Sequence, residues 1–400
     1  MKLRSRRRWC DATPLRTVMR AAVLVVALAL ATGSAWADAS PDAALAGLLD
    51  EARDAASTPG TCAQPGIDRL VKIYCAGRIR IGAREYYPLF GTKNGDVWTG
   101  YEIDVARDIA KKLGVNIEFS KAKAATRIPM LADDNVDLII ATMGHNTERD
   151  SQVLFIRPHY YQSETIVVGP RGLVIRGWDD LRGRTVCVTV GNGSNAELVA
   201  HGVRLLLFGE AETLPDRLSD ETCLLVAQDD SFFAYYLANP EFSARFDDKF
   251  GFAQVPWGMA VARTGSDELA RALDLMSEIF HRDGVFLAAA RANHIATAFL
   301  VRQQEVWNRP ACNTDTGSSN PACVLPPLNI VQQPTPFAPE VAAFKRWVAL
   351  LTGSQPSLPM LETAPAWSLF LSGIVNSLLL IGGALAATLG FALLFGAMMA

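Results

Sequence analysis

The chain has 400 residues, half of them hydrophobic and 20% charged, with a formal net charge of −3, five histidines and seven cysteines. That length allows one large two-part unit with membrane-active ends. Seven of the basic residues sit in the first twenty positions against a single acid, so the remainder is net acidic, which tells against a nucleic-acid partner.

In chain order, residues 1–37 have the build of a secretory leader: Lys2, Arg4, Arg6, Arg7, Arg8, Arg16 and Arg20, then the uncharged run Ala21 to Thr32, then the cleavage pattern Ala35-Trp36-Ala37. The apolar run is too short to span a bilayer comfortably, so the chain that follows is expected on the exported side. Residues 38–77 read as an N-terminal extension. Cys10 leaves with the leader, and the other six cysteines fall into neighbouring pairs, Cys62 with Cys75, Cys187 with Cys223 and Cys312 with Cys323. An even count in an exported chain reads as three disulfides. No pair has C-x-x-C spacing and no histidine pair accompanies them, so no metal is expected.

From position 78 strand-like and helical segments alternate, the pattern of open α/β sheets. Arg78 to Ala83 reads as a strand, Asp104 to Leu113 as a helix with Val105, Ile109 and Leu113 on one face, and Val115 to Phe119 as a strand. Thr126 to Ala132 reads as a short helix and Asp137 to Thr142 as a buried strand. After Tyr160-Tyr161, the strand Glu164 to Gly169 carries the chain into a second lobe that holds Thr185 to Val190, a helix from Asn195, and Cys223 to Gln228. Val255 to Val261 brings it back, and the amphipathic helix Asp267 to Arg282 follows. Two crossings make a hinge, with residues 78–162 and 257–300 in the first lobe and 163–256 in the second. Residues 301–366 are expected as a proline-rich, disulfide-pinned extension and stalk. Residues 367–400 hold no charge and are long enough for a membrane helix.

Two stretches carry a resemblance. Gly100-Tyr101-Glu102-Ile103-Asp104-Val105, continued through Ile109, Ala110 and Leu113, and Asp137-Leu138-Ile139-Ile140-Ala141-Thr142-Met143, running into Gly144-His145-Asn146-Thr147-Glu148-Arg149, resemble the first lobe of the family 3 solute-binding proteins. These are periplasmic proteins that deliver polar amino acids to ATP-driven importers. The resemblance implies an α/β, two-lobed periplasmic-binding-protein fold of type II with a hinge, binding without catalysis, and no cofactor. It also implies a small amino-acid ligand, an ABC permease, fused or separate, and a cytoplasmic ATPase as partners. The run Phe370-Leu371-Ser372-Gly373-Ile374-Val375-Asn376-Ser377-Leu378-Leu379-Leu380 resembles the first membrane helix of the permeases that such proteins serve. The C-terminal helix is therefore expected to hold the chain at the periplasmic side of the bacterial inner membrane, as a tether or as the opening helix of a permease.

An amino acid offers one carboxylate and one ammonium, and a buried site answers them with a bidentate cation, N–H donors and a carboxylate. The resemblance gives Arg149 the ligand carboxylate, helped by the Thr142 hydroxyl and the Gly144 amide. Ser194 and Asn195 open a helix whose first amides favour an anion, although each also suits an ordinary N-cap. Asp229 is the candidate for the ammonium. Arg149 and Asp229 both lie just past strand ends, where open α/β sheets bind ligands.

Arg84, in Gly82-Ala83-Arg84-Glu85, and Arg127, in Arg127-Ile128-Pro129, resemble the glutamate/aspartate branch, in which arginines at these places pair with the side-chain carboxylate. Arg127 also suits a helix cap or a pairing with Asp133 or Asp134. Ala124 and Ala125 depart from that branch's polar residues, and Tyr86-Tyr87 from its serines. Tyr86 is accordingly expected to cover the ligand's aliphatic part, as an aromatic does in the wider polar amino-acid family. The expected ligand is a polar L-amino acid, either acidic or of that broader kind.

Two other classes share the fold. A dehydratase acting on a cyclohexadienyl acid needs a catalytic base, and His145, His159 and His201 are scattered without an evident partner, although His145 falls in the expected cleft. A membrane-tethered sensor driving a kinase is the second alternative. Channels of this fold interrupt the lobes with pore helices, whereas here the membrane helix follows both.

Overall fold

The computed structural model describes residues 40–329, 338–352 and 364–399. The expected leader, 1–37, and the segments 330–337 and 353–363 of the expected stalk lie outside the described residues. The strands are, in chain order, β1 (Arg78–Ala83), β2 (Tyr86–Tyr87), β3 (Gly91–Asn94), β4 (Val97–Thr99), β5 (Asn116–Lys121), β6 (Leu138–Ile140), β7 (Val153–Phe155), β8 (Tyr161–Pro170), β9 (Thr185–Thr189), β10 (Arg204–Phe208), β11 (Val226–Asp229), β12 (Phe246–Trp257) and β13 (Ala260–Ala262).

They form two five-stranded sheets, ordered β5-β1-β6-β13-β7 and β10-β9-β11-β8-β12, and a small meander β2-β3-β4. In the first sheet β1 runs parallel to β5 and β6, and in the second β9 runs parallel to β10 and β11. Inner parallel strands are covered on both faces and so read as unbroken apolar runs; Leu138, Ile139 and Ile140 are all fully buried. The chain enters the second sheet along β8 and leaves it along β12. These two strands pair antiparallel from Tyr161 opposite Trp257 to Pro170 opposite Phe246, and the Tyr160 N–H donates to the Trp257 carbonyl at 3.1 Å. Two crossings bonded side by side let the lobes rotate about a common axis.

The helix Tyr101–Leu113 begins three residues before its apolar face suggests. Gly100 makes this possible: its φ is 123°, and a Cβ there would collide with the Phe90 carbonyl. The N–H groups of Tyr101 and Glu102 then bond back to Leu89 and Phe90, each at 2.9 Å. The expected N-terminal extension contains the helices Pro41–Ser57 and Arg69–Ala76. Their Leu45, Leu49, Leu70 and Ile73 join the main core together with the helix Asp267–Arg282, and Arg69 pairs with Asp134 and, at 3.1 Å, with Asp137.

Disulfides join Cys62 to Cys75, Cys187 to Cys223 and Cys312 to Cys323, the pairs expected. Within the expected extension and stalk, the first residues belong to the helix Ala298–Trp307, and Ala338–Thr352 is also helical, with Pro339 in the first turn, where a missing N–H breaks no helical bond. The helix Ala364–Met399 closes the described chain. Its stretch Gly373–Gly390, with a mean hydropathy of 1.7, is long and apolar enough to cross a membrane, by length and composition.

Candidate functional site

A cleft lies between the two sheets, past the ends of β1, β9 and β11. It is lined by Arg84, Tyr87, Ala124, Arg127, Thr142, Gly144, Asn146 and Arg149 on one side and by Thr189, Asn192, Gly193, Ser194, Gln228 and Asp229 on the other, with Val255, Trp257 and Leu328 completing the wall. Its cavity volume is about 30 Å³, so the two lobes meet closely across it.

Arg149 is aimed by its own neighbourhood. The Asn146 side-chain oxygen accepts the Arg149 N–H at 2.9 Å, a local turn that swings the chain back toward the cleft. The guanidinium then donates to the Gly144 carbonyl and to the Gly191 carbonyl, both at 2.7 Å. Gly144 belongs to the first lobe and Gly191 to the second, so one side chain spans both. Gly191 has a φ of 78°, and a Cβ on it would lie 2.8 Å from the Ala125 backbone. Small residues on both sides are what allow the lobes to meet there.

Two more guanidiniums share the space. Arg127 donates to the carbonyls of Ala141 and Thr142 at 2.5 and 2.8 Å, and its Nε has no partner among the described residues. It neither caps a helix nor pairs with Asp133 or Asp134; Asp134 is taken by Arg69 and Arg80. The Arg84 guanidinium lies 5.7 Å from the centre of the Tyr87 ring. Burial first, then the charges of Arg149 and Arg84, holds the Arg127 pKa well below its ordinary value, and burial lowers that of Arg149. Three cations repelling one another in a desolvated space call for an anion.

Of the two adjacent acids, Asp230 is structural: its carboxylate accepts from the Ser163 hydroxyl, from the Ser231 N–H at 2.6 Å and from the Glu164 N–H at 3.1 Å. Asp229 is left for the cleft, held by the Tyr87 hydroxyl, which donates to it at 3.2 Å. Asp229 is half-buried in the wall of the cleft. Burial and, next, the Asp230 charge raise its pKa to about 7. Tyr87→Phe is expected to weaken ligand binding by about 1 kcal/mol, the worth of one hydrogen bond that orients a charged partner, when measured by titration calorimetry. A Tyr86→Phe control is expected to change nothing.

Residues 79–292, more than half of the chain, match the bacterial extracellular solute-binding proteins, family 3. The chain belongs to this family. Among its relatives, a glutamine-binding protein of Geobacillus stearothermophilus is 29% identical over 200 residues, covering 48% of this chain and 74% of that protein. An ABC transporter glutamine-binding protein of Bacillus subtilis is 26% identical over 234 residues, covering 54% and 81%. The structure of an ancestral arginine-binding protein bound to arginine superposes with a TM-score of 0.50 at 28% identity, covering 54% of this chain and 97% of that one. The fold is thus the type II periplasmic-binding-protein fold.

The cleft of this family 3 solute-binding protein brings together Arg84, Arg127, Thr142, Gly144, Arg149, Ser194 and Asp229. Two expected members are absent. Tyr86 is 49% exposed, with the Lys121 ammonium 5.0 Å from its ring centre, while Tyr87 faces inward; side chains alternate along a strand, so only one of the pair can line the cleft. Asn195 turns away, its amide donating to the Thr189 carbonyl at 2.9 Å. His145 is also not in the cleft wall. It lies fully buried beneath it, stacked on Phe155 with ring centres 4.0 Å apart and bonded to His159 at 2.7 Å, and burial lowers its pKa to about 4. The histidine that suggested turnover is thus out of reach of a bound molecule. Thr142 has a φ of 48° and gives its N–H to the buried Glu102 at 2.6 Å, a restraint that only the folded chain reveals.

Proposed function

We propose that this protein captures a polar L-amino acid, acidic by preference, by closing its lobes on it outside the inner membrane, and passes it to an ABC permease, fused or separate, driven by a cytoplasmic ATPase. The observation that carries this reading is that Arg149 and Asp229, from opposite lobes, line one cleft. A zwitterion needs that pairing of charges: the guanidinium, with the Thr142 hydroxyl and the Gly144 amide, takes the carboxylate, and Asp229 takes the ammonium. Ser194, whose hydroxyl is buried without a partner among the described residues, supplies a further bond from the second lobe. Ligand contacts with both lobes exist only when the lobes are shut, so the ligand favours that form.

The acidic preference rests on charge balance. Three guanidiniums and one carboxylate line the cleft, with Glu102 buried behind them. A neutral amino acid leaves that excess uncorrected, whereas a second ligand carboxylate between Arg84 and Arg127 reduces it. The relatives' names, glutamine-binding and arginine-binding, support an amino-acid ligand and favour a neutral or broader polar specificity as the second reading. The apolar stretch Gly373–Gly390 serves as the anchor at the periplasmic face.

A thermal-shift panel of amino acids on the full chain in detergent tests both readings. A ligand at a hundred times its Kd stabilises the folded state by about 2.7 kcal/mol, enough for roughly 5 °C or more in a domain of this size. Glutamate and aspartate are expected to give such shifts and glutamine less. A larger shift with glutamine would move the assignment to the neutral ligand, and no shift with any amino acid would remove the function proposed.

A further inference from the structure

Among the described residues that line the cleft, Leu328 lies beyond the stretch 79–292 that matches the family. It comes from the C-terminal extension, and the extension is built to put it there. The helix Ala298–Trp307 ends in a buried tryptophan packed against Cys312 and Cys323, and the disulfide between those cysteines closes the loop. The loop is pinned to the helix Asp267–Arg282 by the Ser318 N–H, which donates to Glu278 Oε1 at 2.7 Å. Leu325 and Leu328 then pack against the main core. Pro326 and Pro327 have no N–H and favour an extended backbone, so the Leu328 amide is the next donor available after Leu325.

That amide donates to the His145 carbonyl at 2.9 Å, and the Thr147 N–H donates to the Leu328 carbonyl at 3.1 Å. The result is a parallel bridge between Leu328 and Asn146, the same Asn146 that holds the Arg149 backbone. The extension thus adds a short strand-like edge to the cleft wall, fastened by a disulfide before it and by main-chain bonds at it. Between walls dominated by guanidinium, amide and hydroxyl groups, Leu328 offers an isobutyl group.

We propose that Leu328 is a specificity-determining residue, an apolar stop that limits how long a ligand side chain the cleft accepts. The proposal rests on the amino-acid-capture reading. Methylene groups gain from contact with Leu328, whereas a charged or amide end that reaches it is desolvated without a partner.

The test is titration calorimetry on the full chain in detergent with two length series, aspartate, glutamate and 2-aminoadipate, and asparagine and glutamine. Leu328→Ala is expected to weaken the preferred ligand about fivefold, the worth of one apolar contact, and to shift preference toward the longer member of its series. Leu328→Phe is expected to shift preference the opposite way, and it carries the test if the alanine variant does not fold. Melting of the unliganded variants checks the fold. Opposite shifts in the two variants support the proposal; ratios between ligands within twofold of wild type in both overturn it. If the wild-type chain binds none of the five, the acidic-or-amide ligand class assumed for Leu328 fails and the proposal with it, a result distinct from unchanged ratios and separate from the amino-acid panel that tests capture itself.

Discussion

Arg149→Ala is expected to weaken amino-acid binding by roughly 3–5 kcal/mol, a loss of hundredfold or more in Kd. The size follows from burial: the ligand carboxylate would enter a desolvated cleft and find its bidentate partner missing. Arg84 and Arg127 do not replace it, because in the proposed pose they face the ligand's side-chain carboxylate instead. Arg149→Lys keeps the charge and loses the fork, so an intermediate affinity is expected. Titration calorimetry with the ligand chosen by the thermal-shift panel decides it. An alanine variant that binds within tenfold of wild type would show that position 149 does not hold the ligand.

Asp229→Asn is expected to separate binding from stability. Loss of the ammonium's counter-charge costs about 3 kcal/mol of binding, again near hundredfold. Stability moves the other way. Folding raises the carboxyl pKa from its ordinary 3.8 to about 7, through burial and then the Asp230 charge, so its charged form is disfavoured by folding. Whatever stability it supports is complete below the lower value and lost as the pH rises through the upper one. At pH 8 the asparagine variant, having no charge to bury, is therefore expected to melt no lower than wild type without ligand, and at pH 4 to show no such advantage. Binding equal to wild type would remove Asp229 from the site.

The position of Arg149 and Asp229 at the cleft is legible in the sequence because open α/β sheets gather polar groups at strand ends: Asp229 ends β11, and Arg149 follows β6 by a loop. The helix Asp267–Arg282 was legible from its apolar spacing and acidic first turn. Facing and distance are not carried by the residue letters. Tyr86 and Tyr87 are equivalent as letters, and only the two-residue strand β2, paired with β3, decides which ring turns inward. Asn195 opens a helix, as a cleft residue of this kind does, yet its amide is spent on the Thr189 carbonyl. Asn146 carries a local signal, since a polar residue three positions before an arginine suits a turn that caps the arginine's amide. Leu328 carried none: its place depends on a main-chain bridge to residues far earlier in the chain.

The guanidinium at position 149 donates to one carbonyl of each lobe. The same side chain therefore ties the lobes together as well as facing the cleft, so removing it alters closure along with solute capture, and the measured loss of affinity sums the two contributions.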